Sequence, residues 1–393
     1  MLQVQKFLER LIGGSKEEKK VEYVELIYDL IFVYIIGRNN SLMTRIVDGF
    51  IDPESYFTYI ICTLITIQIW YMTTLFINRY GSNEPFEYIG LFVNMFLLYY
   101  MADGTRLHWQ TTFYRYNVAW MLILVNIQIQ YLRKYRTSIS TPWEAQNIKV
   151  IVKILAAMIT IIGAGIGIYH FTGLPLTPVA MLAGMVLFVA CHKSIDLVAI
   201  DFPHLTERIM LYIVFTFGEM IIAISGYFDE KFSLVSLYYA LCAFLIVVGL
   251  FTSYGFMYDN LIDREMSVRG NMYMLVHVFI IFALSNLTAA LEFMPEHEID
   301  TVKKNVFLIV SFAIYYIFIF ALAPFTKGYE RDFRKFSSFI ITLAGFIVLM
   351  AMLFYHPAVS IALSAAMAFR ILYLEYKYWR IHIKDNPLYR LLD

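Results

Sequence analysis

Two acidic residues stand inside an apolar stretch near the start of the sequence. Glu25 and Asp29 belong to the segment ELIYDLIFVYIIGR. A spacing of four residues places both carboxylates on one face of a helix, one turn apart. Two carboxylates this close can hold a proton or a cation between them. In the alternative arrangement, Glu25 lies in a hydrated first turn and Asp29 is buried against a basic residue of another helix.

A second group of ionisable residues surrounds a turn marked by Asp-Phe-Pro. It comprises His192, Asp196, Asp201, His204, Glu207 and Arg208. Imidazole and carboxylate together suit a transition metal such as zinc, or a proton relay. Their spacing matches no established zinc motif, so we predict no metal site and no cofactor. The favoured interpretation is a cytosolic cluster of ion pairs in which Asp201 caps the following helix.

Three further polar residues fall inside apolar runs. Glu219 follows Glu207 by twelve residues, about 18 Å along a helix, and phenylalanine, methionine and isoleucine surround it. An ionisable residue at such a depth is a functional hypothesis by default. The alternative is a protonated glutamate that is hydrogen-bonded between helices. We also expect His277 and Arg370 to be buried polar residues, with His277 bonded between helices.

The composition identifies the environment of these residues. Of the 393 residues, 60% are hydrophobic and 16% are charged, and the mean hydropathy is +0.63. A soluble domain carries about 25% charged residues, so the composition indicates a multi-pass protein of the cell membrane with the lipid bilayer as its partner. The formal net charge is zero, which gives no indication of a nucleic-acid partner. The cysteines show neither metal-binding spacing nor a disulfide framework.

Twelve stretches are apolar and long enough to span a bilayer, for which about 20 residues are needed. They are 22–43, 56–78, 86–104, 114–133, 149–171, 175–200, 205–227, 233–258, 271–293, 305–325, 336–354 and 357–380. The predicted fold class is therefore all-α and polytopic. With both termini in the cytosol, 23 of the 31 lysine and arginine residues lie on the inside and 6 on the outside. This split follows the positive-inside rule.

An even number of spans suggests two parallel six-helix halves. At an offset of 182 residues, Glu25 aligns with Glu207, Ile27 with Ile209 and Ile31 with Ile213. These few identities are little above chance, so the repeat is a hypothesis. The expected organisation is a cytosolic or interfacial segment 1–21, a first half 22–200, a second half 201–380 and a cytosolic tail 381–393.

Two of these segments resemble the signatures of the low temperature requirement protein A (LtrA) family, a family of bacterial multi-spanning membrane proteins. VEYVELIYDLIFVY is similar to the pattern W-x-E-L-F-F-D-L-V-F-V, and PHLTERIMLYIVFTFGEMIIAIS to H-L-x-E-R-x-G-L-x-x-I-x-x-L-G-E-x-I. The matching residues are Glu25, Asp29, Phe32 and Val33 in the first, and His204, Leu205, Glu207, Arg208, Gly218, Glu219 and Ile221 in the second. The sequence departs from these signatures at Tyr23, at Ile27–Tyr28 and at Met210.

The resemblance implies that these carboxylates matter, but it implies no reaction. The leading hypothesis is a proton- or cation-coupled transporter in which Glu25, Asp29, Glu207 and Glu219 form the proton, cation or substrate site. One alternative is a membrane scaffold or sensor without transport. The other is a membrane-embedded lipid-modifying enzyme that uses His204 and Glu207. A small ion or molecule is the expected substrate, and the sequence leaves a homo-oligomer open.

Overall fold

Helices make up nearly all of the secondary structure. The computed structural model describes residues 21–103, 105, 109–228, 233–266, 270–327 and 337–381, without the side chains of 109–111. Its helices are α1 (Tyr23–Asn40), α2 (Pro53–Tyr80), α3 (Pro85–Asp103), α4 (Trp109–Thr137), α5 (Pro142–Thr172), α6 (Thr177–Ala190), α7 (His192–Ile195), α8 (Phe202–Ser225), α9 (Leu234–Phe256), α10 (Asn271–Phe293), α11 (Thr301–Phe320), α12 (Ser337–Met352) and α13 (Pro357–Trp379). The all-α, polytopic prediction is confirmed. Each predicted stretch overlaps one long helix, and 175–200 also includes the four-residue α7.

Polar residues define where several helices begin. Asp52 accepts hydrogen bonds from the Ser55 hydroxyl and the Ser55 amide at the start of α2, and these bonds lower the pKa of its carboxyl. Thr141 and Glu144 form a reciprocal capping box on α5. Asp201 accepts from the His204 amide at the start of α8, which confirms the predicted cap. Such caps satisfy amides that have no partner within the helix.

A small hairpin joins α1 and α2 on the predicted outer side. Strands β1 (Ile46–Val47) and β2 (Phe50–Ile51) pair antiparallel. Asp48 and Gly49 form the turn with φ of 50° and 72°, the backbone that favours Asp-Gly in a two-residue hairpin. The Asp300 amide donates to the Gly49 carbonyl, so the hairpin is tied to the N-terminus of α11.

Seven described helices are long and apolar enough to cross a membrane. They are Pro53–Tyr80, Pro142–Thr172, Phe202–Ser225, Leu234–Leu261, Asn271–Phe293, Thr301–Phe325 and Pro357–Trp379. The prediction of twelve spans is therefore not confirmed by length and composition alone. The predicted span 175–200 is wrong at its end, because α6 stops at Ala190. Its 14 residues reach about 21 Å, and the chain then turns through α7.

Helices α2 and α10 form the centre of the molecule. In the most apolar 18-residue segment of these two helices, 83% and 78% of the residues are buried. The corresponding share is 44% in α8, α9, α11 and α13 and 33% in α5. Helix α2 packs on α10, and α1 packs on α8 beside them. The second helix of the first predicted half therefore meets the third helix of the second half at the core.

The two predicted halves repeat one packing pattern. In the first half, α1 packs on α2 and α3, α3 on α4, α4 on α5, α5 on α6, and α2 on α6. In the second half, α8 packs on α9 and α10, α10 on α11, α11 on α12, α12 on α13, and α9 on α13. Helix α2 also packs on α4, a contact without a counterpart of similar extent between α9 and α11, and the repeat stays a prediction. Apart from residues 21 and 381, the predicted terminal segments lie outside the described residues.

Candidate functional site

Asp29 of α1 and Arg208 of α8 form a fully buried ion pair. The Arg208 Nη2 donates to Asp29 Oδ1 at 2.5 Å, and Nε donates to Oδ2 at 3.2 Å. The Trp70 indole of α2 donates to the same Oδ1 at 2.8 Å. Both charged side chains have 0% exposure. This bidentate geometry is the strong form of a charge-assisted hydrogen bond. The ion pair joins the two predicted halves.

Glu25 lies one turn before Asp29 and is also buried, at 2% exposure. Its Oε2 lies 3.2 Å from His204 Nε2 and 3.4 Å from Arg208 Nε. Glu25 therefore does not occupy a hydrated first turn, as one alternative from the sequence held. Asp29 does pair with a basic residue of another helix, as that same alternative predicted. The two carboxylates contact a common guanidinium.

Asn78, near the end of α2, holds the beginning of α8 in place. Its amide nitrogen donates to the Asp201 carbonyl at 2.8 Å and lies 3.1 Å from His204 Nδ1. Its amide oxygen accepts from the Asp201 backbone N–H at 2.9 Å. Asn78 contacts Nδ1 of the His204 imidazole, and the other ring nitrogen, Nε2, is directed towards Glu25. The cap of α8 and the buried charge network are thus one connected unit.

Glu25 lines a small, partly enclosed cavity at the predicted cytosolic end. The cavity lies between α1, α2, α3 and α4. Its other polar lining residues are Thr73, Asn83, Glu87, Tyr88, Asn94 and Gln130. Among the described residues, no lysine or arginine lines it. The cavity thus presents carboxylate and neutral hydrogen-bonding groups, a lining that favours cations over anions.

The other two predicted site carboxylates lie apart from this network. Glu207 is exposed on α8, on a different face from the buried Arg208 and His204. Glu219 is half-buried, and its Oε2 packs so tightly on Gly37 of α1 that a Cβ there would lie at 2.6 Å. Eleven residues separate it from Arg208, about 16 Å along α8. The four predicted carboxylates therefore do not converge on one point.

The predicted cytosolic cluster divides into two. His204, Asp201 and Arg208 join the network described above, whereas Asp196 bonds elsewhere: its Oδ1 accepts from the Asn271 amide of α10. This oxygen also lies 3.8 Å from Nη2 of Arg79, whose side chain is fully buried. The separation arises because the chain breaks at Cys191 and turns through α7, so the expected common helix face does not exist.

His192 has no hydrogen bond to either group among the described residues. Its Nδ1 bonds to the Val189 carbonyl at 2.9 Å, and the ring lines an apolar groove between α2, α6 and α10. Among the described residues, no three or more histidine, cysteine, aspartate or glutamate side chains converge as metal ligands would.

His277 and Arg370 have different outcomes. His277 is buried in α10, with Nδ1 2.7 Å from the Tyr273 carbonyl and Nε2 2.9 Å from the Tyr254 hydroxyl of α9. The carbonyl requires a proton on Nδ1, so Nε2 accepts from the hydroxyl. The predicted bond between helices is confirmed. Arg370 was expected to be buried but is exposed, and its guanidinium lies 5.4 Å from the centre of the Tyr373 ring.

Sequence reasoning missed several partners of these charges. Trp70, Asn78 and Arg79 all belong to α2, and Asn271 begins α10. An asparagine-arginine pair at the cytosolic end of an apolar helix is a weak signal on its own. The pair becomes informative only in the structure, where Arg79 lies beside Asp196 at the end of α7 and Asn78 bonds to Asp201 at the start of α8.

The comparisons with known proteins give one result. The family model described as bacterial low temperature requirement A protein (LtrA) matches residues 20–372, a range that includes both candidate carboxylate segments. No curated protein and no solved structure matches the chain.

Proposed function

We propose that this chain, which belongs to the bacterial low temperature requirement A family, is a proton- or cation-coupled transporter of the cell membrane. Its coupling site would be Glu25 with its partner His204. Asp29 and Arg208 would hold α1 and α8 together beside that site. Glu219, against Gly37, would be a separate titrating group further along the same helix pair.

The charge balance of the buried network is the observation that carries the proposal. Two carboxylates, Glu25 and Asp29, share one guanidinium. Arg208 neutralises one of them, and Asp29 has the shorter, two-pronged contact. Among the described side chains of this network one negative charge remains, and we propose that a proton held between Glu25 and His204, or a cation, balances it. A buried charge without such compensation is costly, so occupancy of this position is coupled to the stability of the α1–α8 contact.

The cavity supplies the route that such a site needs. It connects the predicted cytosolic end with Glu25, while Asp29 lies fully buried behind it. Because its described lining carries no cationic side chain, a proton or small cation meets no repulsion on the way in. The charged network also lies between the two predicted halves. Movement of one half against the other, as in many transporters, would therefore change the surroundings of Glu25.

The two alternatives from the sequence make different use of these residues. The enzyme hypothesis needs His204 and Glu207 as a pair, yet His204 faces Glu25 and Glu207 is exposed. The scaffold or sensor hypothesis uses the ion pairs only to hold helices together. It is separated from transport by whether Glu25→Gln removes flux or removes only stability.

Flux measurements in liposomes test the proposal. We expect purified protein to move protons, reported by an internal pH-sensitive dye, or to move Na⁺ or Rb⁺ under an imposed membrane potential. Glu25→Gln should reduce this flux at least tenfold, because the amide keeps the shape but cannot carry the charge. Glu207→Gln is the matched control, since that carboxylate is exposed. It should retain the flux of the unmodified protein.

Two results would contradict the proposal. One is the absence of proton, Na⁺ and Rb⁺ flux in liposomes of unmodified, folded protein. The other is full flux in Glu25→Gln. A variant that loses flux and also unfolds is distinguished by its thermal transition in the same lipid.

A further inference from the structure

Glu375 is a buried carboxylate that the proposed coupling site does not use. It lies on α13 with 3% exposure, and the Ser253 hydroxyl of α9 donates to its Oε2 at 2.8 Å. Within the described part of the chain, no lysine, arginine or histidine forms an ion pair with it. A carboxylate buried without a cation is costly. Its environment must therefore favour a neutral acid or supply more hydrogen-bond donors.

Glu375 lines a small cavity that is partly open to the surface. The cavity lies near the predicted cytosolic ends of α9, α11 and α13, where Thr326 and Tyr378 are its other polar lining residues. The wall includes Met257 and Leu261 from a π-helical turn that follows α9. Single π-helical turns are frequent at functional sites. The acid is thus buried in the fold and still borders a space that water can reach.

Two tyrosine side chains near Glu375 have hydroxyl groups without a described hydrogen-bond partner. Tyr315 and Tyr316 of α11 are fully buried, and neither hydroxyl has a hydrogen-bond partner among the described residues. Both lie within electrostatic range of Glu375. A buried hydroxyl without a partner costs free energy. When Glu375 is ionised, its carboxylate can accept hydrogen bonds from these hydroxyls.

Among the described residues, Glu375 is the one charged side chain that lines this cavity. The nearby Asp259, Lys377 and Arg380 are exposed, and Lys327, which follows the lining residue Thr326, is half-buried. The described part of α12 contributes the Phe339 ring. Ser253 donates to Glu375, and Tyr315 and Tyr316 lie within electrostatic range of it.

We propose that Glu375 is a second proton-binding site, which takes up and releases its proton through the cavity on the cytosolic side. On binding, a hydronium ion in the cavity transfers one proton to the carboxylate and becomes water, while Ser253 keeps its hydrogen bond. On release, the proton returns to water and a tyrosine hydroxyl donates to the carboxylate. This site is separate from Glu25, and it stands whether or not the protein transports anything.

Infrared difference spectroscopy on full-length protein in lipid nanodiscs tests the site directly. Stepping the bulk pH should reveal a carboxylic-acid C=O band that appears on acidification and shifts in D₂O. Glu375→Gln should remove this band, and Glu207→Gln should keep it. The proposal is overturned if the unmodified protein shows no pH-dependent band that Glu375→Gln removes.

Two further variants test the proposal if Glu375→Gln folds poorly. Tyr315→Phe and Tyr316→Phe remove one hydroxyl each and leave the carboxyl in place. We expect at least one of them to require a higher pH before the band disappears, since the carboxylate then lacks a donor. An unchanged pH profile in both variants would overturn the role of the tyrosines. Failure of the liposome flux assay would leave this band in place, so the two proposals fail separately.

Discussion

At the scale of single residues, one arginine organises the candidate site. Arg208 contacts both Asp29 and Glu25, whereas its neighbour Glu207 is exposed. The three charges are not equivalent. Without Asp29, Arg208 still has Glu25 as a counter-ion. Without Arg208, the two buried carboxylates lose the guanidinium that they share.

This difference predicts an order of stabilities. Arg208→Gln should lower the free energy of unfolding by about 3–5 kcal/mol, the range for a broken buried ion pair. Asp29→Asn should cost less, and adding Asp29→Asn to Arg208→Gln should restore part of the loss. Denaturant unfolding in detergent micelles measures all three. Glu207→Gln should stay within about 0.5 kcal/mol of the unmodified protein. A larger loss in Asp29→Asn than in Arg208→Gln would contradict this account.

At the scale of helices, α9 and α13 pack closely because a glycine lies at their contact. Helices α9 and α13, which are joined by the Ser253–Glu375 hydrogen bond, touch at Gly249. A Cβ added there would lie 2.7 Å from the Ala368 Cβ and 3.5 Å from its backbone carbon. Backbone cannot move aside as a flexible side chain can, so the two helices would have to separate.

We therefore expect Gly249→Ala to destabilise the protein by about 1–3 kcal/mol, the usual cost of overpacking. Gly345→Ala in α12 is a matched control, because nothing lies within 4 Å of its added Cβ. That control should be neutral or slightly stabilising, since alanine favours the helix. Thermal unfolding of both variants in one lipid mixture compares them. Equal midpoints would show that α9 and α13 are not in tight contact at this position.

At the scale of the whole molecule, the orientation in the membrane decides which solution reaches each cavity. The lysine and arginine distribution predicts that the turn between α2 and α3 faces the cytosol. It also predicts that the segment between α10 and α11 faces outside. Both cavities next to buried carboxylates then open to the cytosol.

Cysteine labelling tests this orientation. With the three native cysteines replaced, Glu298→Cys should react with a membrane-impermeant maleimide in intact cells. Asn83→Cys should react only after the cells are permeabilised. Both positions are exposed, so a difference in labelling reports the side of the membrane rather than burial. The reverse pattern would invert the orientation and place the Glu25 cavity on the outside.

The sequence by itself determined the class of the protein and the places where helices run. Apolar stretches of sufficient length demand helices, since backbone groups in a bilayer must be satisfied internally, and the predicted stretches overlap the observed helices. The Asp201 cap and the bonding of His277 also followed from local rules. Glu25, Asp29, His204 and Arg208 could be singled out because charges are rare in such runs.

Only the tertiary structure decided which of these residues meet. Asp29 and Arg208 are 179 residues apart, and periodicity along one helix carries no information about its neighbour. The same limit explains the failures. Asp196 left the expected cluster because α6 ends early, Glu207 turned to the exposed face, and Arg370 lies at the surface. Glu375 gained its importance from the hydroxyls and the cavity that α9, α11 and the π-helical turn bring to it.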